Sequence, residues 1–417
     1  MSLKTLTIEG GRPLHGTVHV SGAKNAVLPL LSATAAHGGR YRLENCPALS
    51  DVDATVDILE HLGCRVRRDG DAVEVDSRGL RCARIPREKM LRLRSSVLFL
   101  GALLARCGQA QLWLPGGCCI GQRPIDLHLS ALKELGARVT EEDARVTCAC
   151  PRLRGGAVRL RYPSVGATEN LMLAALGAEG PVTIVNAARE PEVAALARFL
   201  RAMGAGVTGE GSGVIRLCPP EAFHDVRFRV PPDRIEAATW LCAVASAGGD
   251  ATVSGVRPEE LAPVIACLRS AGMRLETKGG TIRAVGADLH AAGAVRTGPY
   301  PAFPTDAQAP LMAALLKAEG TTYLTETVFE HRFRHVPALR AMGGDIELSG
   351  RRARIRGVPA LHGADVAATD LRGGAAMVIA ALGARGESRI SQLAHMERGY
   401  DRLVEKLRGL GAGIDAE

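Results

Sequence analysis

Apolar stretches of seven or eight mostly small residues recur along the chain as LLSATAA, LFLGALLA, LMLAALGA, LCAVASA, LMAALLKA and MVIAALGA. Each is apolar all round, and a helix of that composition has to be enclosed by other elements on every side. A second, amphipathic kind of helix alternates with it. In its second copy Ile125, Leu129, Leu132 and Leu135 recur at three- and four-residue steps, and Pro124 occupies a natural first helical position. That stripe predicts a core-facing surface. The amphipathic helices end in a repeated phrase, HLGCRV, ELGARV, AMGAGV, SAGMRL, AMGGDI and GLGAGI, whose glycines are Gly63, Gly136, Gly204, Gly272, Gly343 and Gly411. Glycine there supplies the left-handed conformation that ends a helix before a strand begins. The glycines are 73, 68, 68, 71 and 68 residues apart, so six α/β repeats of about 70 residues fill the sequence.

Six units divide evenly as three plus three. The stretch FRVPPDR, with Pro231 and Pro232, interrupts the pattern between the third and fourth. Strand-like residues Leu3 to Val20 precede the first unit and are expected to complete the sheet of the second lobe. The expected architecture is α/β with two lobes of three repeats each, helices inside and sheets outside. Residues 22–231 form the first lobe, and residues 1–21 with 232–417 form a discontinuous second one. If the two chain crossings lie together, Lys24 and the Pro231 region sit at a hinge, where clefts for small ligands commonly form.

Composition narrows the classes of function. The 417 residues are 47% hydrophobic and 23% charged, which suits two globular domains. Apolar runs such as Val97 to Ala105 fall well short of the roughly 20 residues of a membrane span, and Met1 to Gly11 lacks a signal-peptide apolar region. A cytoplasmic protein with no membrane insertion is expected. The eleven cysteines are scattered through apolar or strand-like segments, among them Cys46, Cys64, Cys107, Cys242 and Cys267, so most are expected to be reduced core thiols. The pair Cys148 and Cys150 has no second pair at ligand spacing, and no metal or other cofactor is expected. The net charge of +8 is spread along the chain without a basic run, which fits anionic small molecules better than nucleic acid. Only seven of the 52 basic residues are lysines. Lys24, in Ser21-Gly-Ala-Lys-Asn25, therefore stands where the commoner arginine was not used, either as a point charge close to backbone or as a solvated turn lysine.

Seven strings carry a specific resemblance: SGAKNA (Ser21 to Ala26), LPGGCCIGQRPIDLHL (Leu114 to Leu129), PSVGATEN (Pro163 to Asn170), NAAREPEV (Asn186 to Val193), PAFPTDAQ (Pro301 to Gln308), TDLR (Thr369 to Arg372) and ERGYDR (Glu397 to Arg402). In order and spacing they resemble the landmarks of the UDP-N-acetylglucosamine 1-carboxyvinyltransferase family. The resemblance runs from about Leu6 to Ile414. It implies the enolpyruvyltransferase fold and transfer of the enolpyruvyl group of phosphoenolpyruvate to the 3-hydroxyl of UDP-N-acetylglucosamine, with release of phosphate. This would be the first committed step of peptidoglycan precursor synthesis.

That chemistry needs a proton delivered to the enol carbon, a proton removed from the sugar hydroxyl, and cations for a phosphate and a carboxylate. The resemblance assigns the acid to Cys118, in a glycine-rich loop suited to closing over substrates. A thiol with an ordinary pKa of about 8.5 holds a proton near neutrality, and nearby arginines would favour the thiolate. Asp306 is implied as the base. Read from the residues alone, it is a cap for the helix that follows, and the two roles are compatible. Lys24, Arg123 and Arg398 are implied as the anion cradle, with Arg332 and Arg372 near the reacting centre; Lys24 and Arg398 join Cys118 and Asp306 as the catalytic set. Arg123 directly precedes Pro124 and a helix start, so guanidinium and helix N-terminus could address one phosphate together.

Contacts to the nucleotide sugar are implied for Asn25, Arg94, Arg123, Pro124, Ile125, Asp126, Leu127, Tyr162, Pro163, Ser164, Val165, Asp306 and Val328, with Asp51 and Glu190 helping to order the site. Cys119, Tyr162, His331, Gly373 and Gly374 depart from the family pattern. Three other readings compete. A 3-phosphoshikimate 1-carboxyvinyltransferase shares the repeats and the donor but not the acceptor. A non-catalytic regulatory paralogue would not need Cys118, Asp306, Lys24 and Arg398 together. A nucleic-acid end-processing enzyme on a related repeat fold would depend on a nucleoside triphosphate.

Overall fold

A computed structural model describes residues 5–116, 121 and 124–417. Cys118, Cys119 and Arg123 lie outside the described residues. The six repeats appear as six pairs of helices in chain order. The first pair is α1 (Lys24–Ala33) and α2 (Ser50–His61). A short α3 (Arg87–Arg92) precedes the second pair, α4 (Phe99–Cys107) and α5 (Asp126–Glu134). Then come α6 (Val165–Ala175) and α7 (Pro191–Ala202), α8 (Arg234–Ala247) and α9 (Ala262–Ser270), α10 (Gln308–Ala314) and α11 (Val336–Ala341), and α12 (Leu371–Gly383) and α13 (Leu403–Gly409).

The first helix of each pair is the apolar one, and it is enclosed as its composition requires. Every residue of α10 is buried, and so is every residue of α12 after Leu371. All six repeat glycines have left-handed backbone, with φ between 84° and 108°. The helix pairs are therefore closed off by the residue that tolerates this conformation.

The chain forms two compact units. Gly121 aside, one carries the described residues from Gly22 to Pro231, and the other combines the segment ending at Ser21 with Pro232–Glu417. Each has its own apolar core. In the first unit, strands Val226–Arg229 and Arg40–Glu44 pair in parallel, Val226 opposite Tyr41, so the end of the third repeat joins the sheet of the first. In the second unit Leu14–His19 pairs in parallel with Gly249–Ser254, and Thr5–Glu9 lies between Glu387–Ser391 and Gly413–Ala416. Ends of the chain distant in sequence thus complete the same sheets.

Two details differ from expectation. Helix α5 begins at Asp126 with Ile125 as its N-cap, so Pro124 lies just outside it; the hydrogen bonds from His128 and Leu129 to the Ile125 carbonyl set that start. The stripe Ile125, Leu129, Leu132 and Leu135 is buried as its spacing predicts. Cys46, Cys64, Cys148, Cys150 and Cys242 are buried, but Cys107, at the last turn of α4, is exposed. Burial pushes the thiols of Cys46, Cys64 and Cys148 up to about 12, which makes them inert at neutral pH. Among the described residues no helix is long and apolar enough to cross a membrane.

Gly22 marks a place where no side chain fits: a Cβ there would lie 1.8 Å from the Asn45 carbonyl oxygen. The neighbouring Ala23 amide donates to Pro231 and the Asn45 side chain donates to Val230, so the backbone has little room to yield. Gly22→Ala is expected to cost at least about 2 kcal/mol, measured by urea unfolding. An unchanged midpoint would show that the local backbone relaxes freely.

Candidate functional site

Several of the predicted residues fall at one place in the repeat, the N-terminus of the enclosed helix. In the first unit Lys24 and Asn25 open α1, Arg94 opens the 3-10 turn that leads into α4, and Val165 opens α6. In the second, Asp306 lies in the turn before α10 and Arg372 in the first turn of α12. Helix N-termini offer unpaired N–H groups and a positive dipole end, which suits an anionic ligand.

In the first unit the Lys24 ammonium lies 2.7 Å from the Asp51 carboxylate, with side-chain exposures of 11% and 6%. Lys24 is therefore a buried, paired cation and not a solvated turn lysine. Ser164 caps α6, its hydroxyl accepting from the Ala167 amide, and its own amide donates to the Tyr162 carbonyl. Tyr162 is 42% exposed. Asp126 is exposed and its carboxylate lies 2.7 Å from Arg161, while Ile125 is buried and Leu127 half-buried.

Two groups in this unit escaped the sequence reading. Asn170 ties three helices together, its amide oxygen accepting from Gly101 and its amide nitrogen reaching the Val97 carbonyl and His128 Nδ1. Glu169 is buried, and burial, then Glu192 and Glu190, push its carboxyl well above the usual range. The only signal for either was their place in PSVGATEN.

In the second unit the Asp306 carboxylate is gripped by two arginines. Arg332 Nη2 donates to Oδ1 at 2.5 Å and Arg372 Nη2 to Oδ2 at 3.2 Å. Arg332 also donates to the Thr305 carbonyl. The two arginine side chains are 4% and 3% exposed, the Asp306 side chain 27%. This overturns the reading of Asp306 as a cap: the N-cap position of α10 belongs to Ala307, which has no side-chain acceptor, and the Asp306 carboxylate is bound by the two arginines. Arg372 stacks on Tyr400, 5.4 Å from the ring centroid, and the Tyr400 hydroxyl meets Thr239 Oγ1 at 3.0 Å. Nε and Nη1 of Arg372 find no hydrogen-bond acceptor among the described residues, although both are buried. Buried donors of that kind call for a partner.

The surroundings fix these groups. Asp370 caps α12 by accepting from the Arg372 and Gly373 amides. Glu326 accepts from Thr305 and from the Val328 and Phe329 amides, which orders the half-buried Val328. Arg398 is half-buried next to the buried Gly399 and Tyr400, and His331 is exposed. Gly373 and Gly374 have a steric reason: Cβ atoms there would lie 2.6 Å from Thr369 Oγ1 and 2.8 Å from Met396 Cγ. Glu326 was missed because nothing in its local pattern separates it from an ordinary polar loop residue, and the only signal for Asp370 and Tyr400 was their place in TDLR and ERGYDR.

His335 lies among these groups, fully buried. Burial, with the Arg332 charge acting the same way and Asp370 opposing, holds its imidazole down at about 4. A depressed base binds fewer protons folded than unfolded, so this contribution to stability is complete above about 6.5 and is lost as pH falls towards 4. Its size is on the order of 3 kcal/mol. Unfolding free energy is expected to fall over that window, and His335→Gln to make the slope shallower; an identical slope would show that the imidazole titrates freely.

The chain matches the EPSP synthase (3-phosphoshikimate 1-carboxyvinyltransferase) family over residues 8–407. It is 45% identical over 408 residues to UDP-N-acetylglucosamine 1-carboxyvinyltransferase 2 of Caldanaerobacter subterraneus subsp. tengcongensis, covering 98% of each chain. It is 45% identical over 413 residues to UDP-N-acetylglucosamine 1-carboxyvinyltransferase of Nitratidesulfovibrio vulgaris (strain DP4), covering 99% of each. Among solved structures, the enolpyruvyl transferase NikO from Streptomyces tendae superposes with a TM-score of 0.89 at 27% identity, over 100% of this chain and 99% of that one. The EPSP synthase of Acinetobacter baumannii shares the fold, with a TM-score of 0.74 at 20% identity over 99% of this chain and 100% of that one.

Proposed function

The chain belongs to the enolpyruvyltransferase family, that of EPSP synthase, and within it to the UDP-N-acetylglucosamine 1-carboxyvinyltransferases, and from that premise we propose its reaction and the residues that perform it. It is a transferase that moves the enolpyruvyl group of phosphoenolpyruvate to the 3-hydroxyl of UDP-N-acetylglucosamine and releases phosphate. The product feeds peptidoglycan synthesis in the cytoplasm, and so cell-wall growth, cell shape and division.

The observation that carries the reading is the Asp306 carboxylate, partly open to solvent and held on both oxygens by the buried Arg332 and Arg372. A base must be held in place beside cations that stabilise the charge formed in the tetrahedral intermediate. Asp306 takes the proton of the sugar hydroxyl as its oxygen bonds to C2 of phosphoenolpyruvate, while C3 gains a proton from Cys118. In the second half C3 loses a proton, the C2–O bond to phosphate breaks, and the double bond is restored. Arg332 and Arg372 hold the anionic groups around C2, the unpartnered Nε and Nη1 of Arg372 supplying donors. Lys24, Arg123 and Arg398 complete the anion cradle. The uridine diphosphate sugar is held by Asn25, Arg94, Pro124 to Leu127, Tyr162 to Val165 and Val328. An anion arriving on the two guanidinium groups competes with Asp306 for them, and a carboxylate released from ion pairs is a stronger base.

Phosphate release tests the choice of acceptor. Purified protein with phosphoenolpyruvate is expected to release phosphate on addition of UDP-N-acetylglucosamine and not of shikimate 3-phosphate. The reverse result would move the chain to the shikimate reaction, and release with neither would favour a non-catalytic paralogue.

A further inference from the structure

At the opposite ends of the enclosed helices of the first unit, a cavity of about 1120 Å³ opens beside the C-terminal ends of α1, α4 and α6. Its volume is slightly above the roughly 300–1,000 Å³ usual for small-molecule sites, so a polyphosphate compound has room there. Arg106, Arg138 and Arg152 line it, and among the described residues no aspartate or glutamate does. None of the three makes an ion pair or a side-chain hydrogen bond with a described residue. Elsewhere arginines of this chain pair freely with carboxylates, as Arg42 does with Glu74 and Arg283 with Asp250.

Helix termini account for only part of this charge. Arg106 lies in the last turn of α4, where a cation is favoured by the dipole. Its guanidinium lies against Gly38, where a Cβ would be 2.6 Å from Nη1. Arg138 starts the strand Arg138–Glu142 and Arg152 follows the strand Arg145–Ala149, so neither serves a helix end. One wall is His37 stacked on Phe223, with ring centroids 3.8 Å apart, and His37 Nδ1 is buried without a partner. In the second unit, by contrast, Lys317 at the end of α10 donates to the Gly383 carbonyl at the end of α12, so the cation there is consumed internally.

Like charges gathered around a concavity without counter-charge raise the local concentration of anions, and arginine matches phosphate oxygens in two-pronged geometry. We infer that this cavity is a second binding site, for a small molecule carrying two or more phosphate groups, with Arg106, Arg138 and Arg152 taking its oxygens and the His37–Phe223 pair forming the wall behind it. The site is separate from the residues assigned to the transfer reaction and does not depend on that assignment.

Cys107 lines the same cavity and is exposed, which makes it a reporter. The full chain is alkylated with iodoacetamide with and without inorganic tripolyphosphate, against sodium chloride of matched ionic strength, and labelling of each cysteine is followed by peptide mass spectrometry. Tripolyphosphate is expected to slow labelling of Cys107 several-fold in the unaltered chain. That protection should vanish when Arg138→Gln and Arg152→Gln are combined, two exposed positions whose replacement leaves the core intact. Equal labelling with tripolyphosphate and with salt, or equal protection in the double variant, would overturn the inference.

Discussion

Replacing Asp306 by asparagine is expected to lower kcat by about 10²- to 10⁴-fold while phosphoenolpyruvate still binds. Asparagine keeps the size of the side chain and one oxygen for the arginines, but it cannot accept the hydroxyl proton. Alanine is the poorer probe. It would leave two arginine side chains, 4% and 3% exposed, without their shared counter-ion, and breaking a buried pair in this way costs about 3–5 kcal/mol. Asp306→Asn also withdraws a competitor for Arg332 and Arg372, so affinity for phosphoenolpyruvate is expected to hold or rise. Calorimetry measures the affinity and phosphate release the rate. A kcat within twofold of the unaltered protein would reject Asp306 as the base; loss of rate and of binding together would make it a positioning residue.

The second large effect belongs to the cysteine loop. Cys118→Ser is expected to lower turnover by about 10²- to 10⁴-fold, because an alcohol holds its proton far too tightly to act as the acid at neutral pH. Cys119→Ser, one residue on, should stay within about threefold, since its thiol has no part in the proposed chemistry. Cys118 lies outside the described residues, and its role rests on the glycine-rich loop and the family resemblance. The comparison of neighbours is therefore the informative design: both variants disturb the same loop, and only one removes the acid. Equal losses in the two would withdraw the assignment. The described buried thiols supply a contrast, since burial that pushes Cys46 and Cys64 up to about 12 leaves them without acid function.

The architecture was legible because it is written six times. The glycine phrase and the enclosed apolar helix recur with a period near 70, and each copy folded as the pattern implied, with left-handed glycines at Gly63 and its five counterparts. The enclosed character of α12 followed from a stretch in which any face is apolar. Details that depend on one local competition were less legible. The start of α5 slipped past Pro124 because the Ile125 carbonyl receives the first helical bonds. Cys107 reads as a core thiol in an apolar run, yet it falls at the helix end where the chain emerges.

The site followed the same division. Sequence strings marked Lys24, Asp306 and Arg372, but which partner each takes is a long-range fact. Lys24 meets Asp51, 27 residues on, and Asp306 meets Arg372, 66 residues on. The capping propensity of aspartate after Pro-Thr was real, and it lost to two guanidinium groups that no local window contains. Tyr400 and Glu326 escaped notice for the same reason: each acts through a contact with another repeat element, Tyr400 on Arg372 and Glu326 on Thr305.

Transfer by addition and elimination leaves a mark that no simple hydrolysis or phosphoryl transfer leaves, because C3 of phosphoenolpyruvate becomes a methyl group and then loses a proton. The reaction is therefore run in deuterium oxide with UDP-N-acetylglucosamine, and the product is examined by proton NMR and mass spectrometry. The proposal predicts a product heavier than the sugar nucleotide by one enolpyruvyl group, with deuterium in its vinyl positions. A sugar nucleotide recovered unchanged, or an enolpyruvyl product free of deuterium, would contradict it.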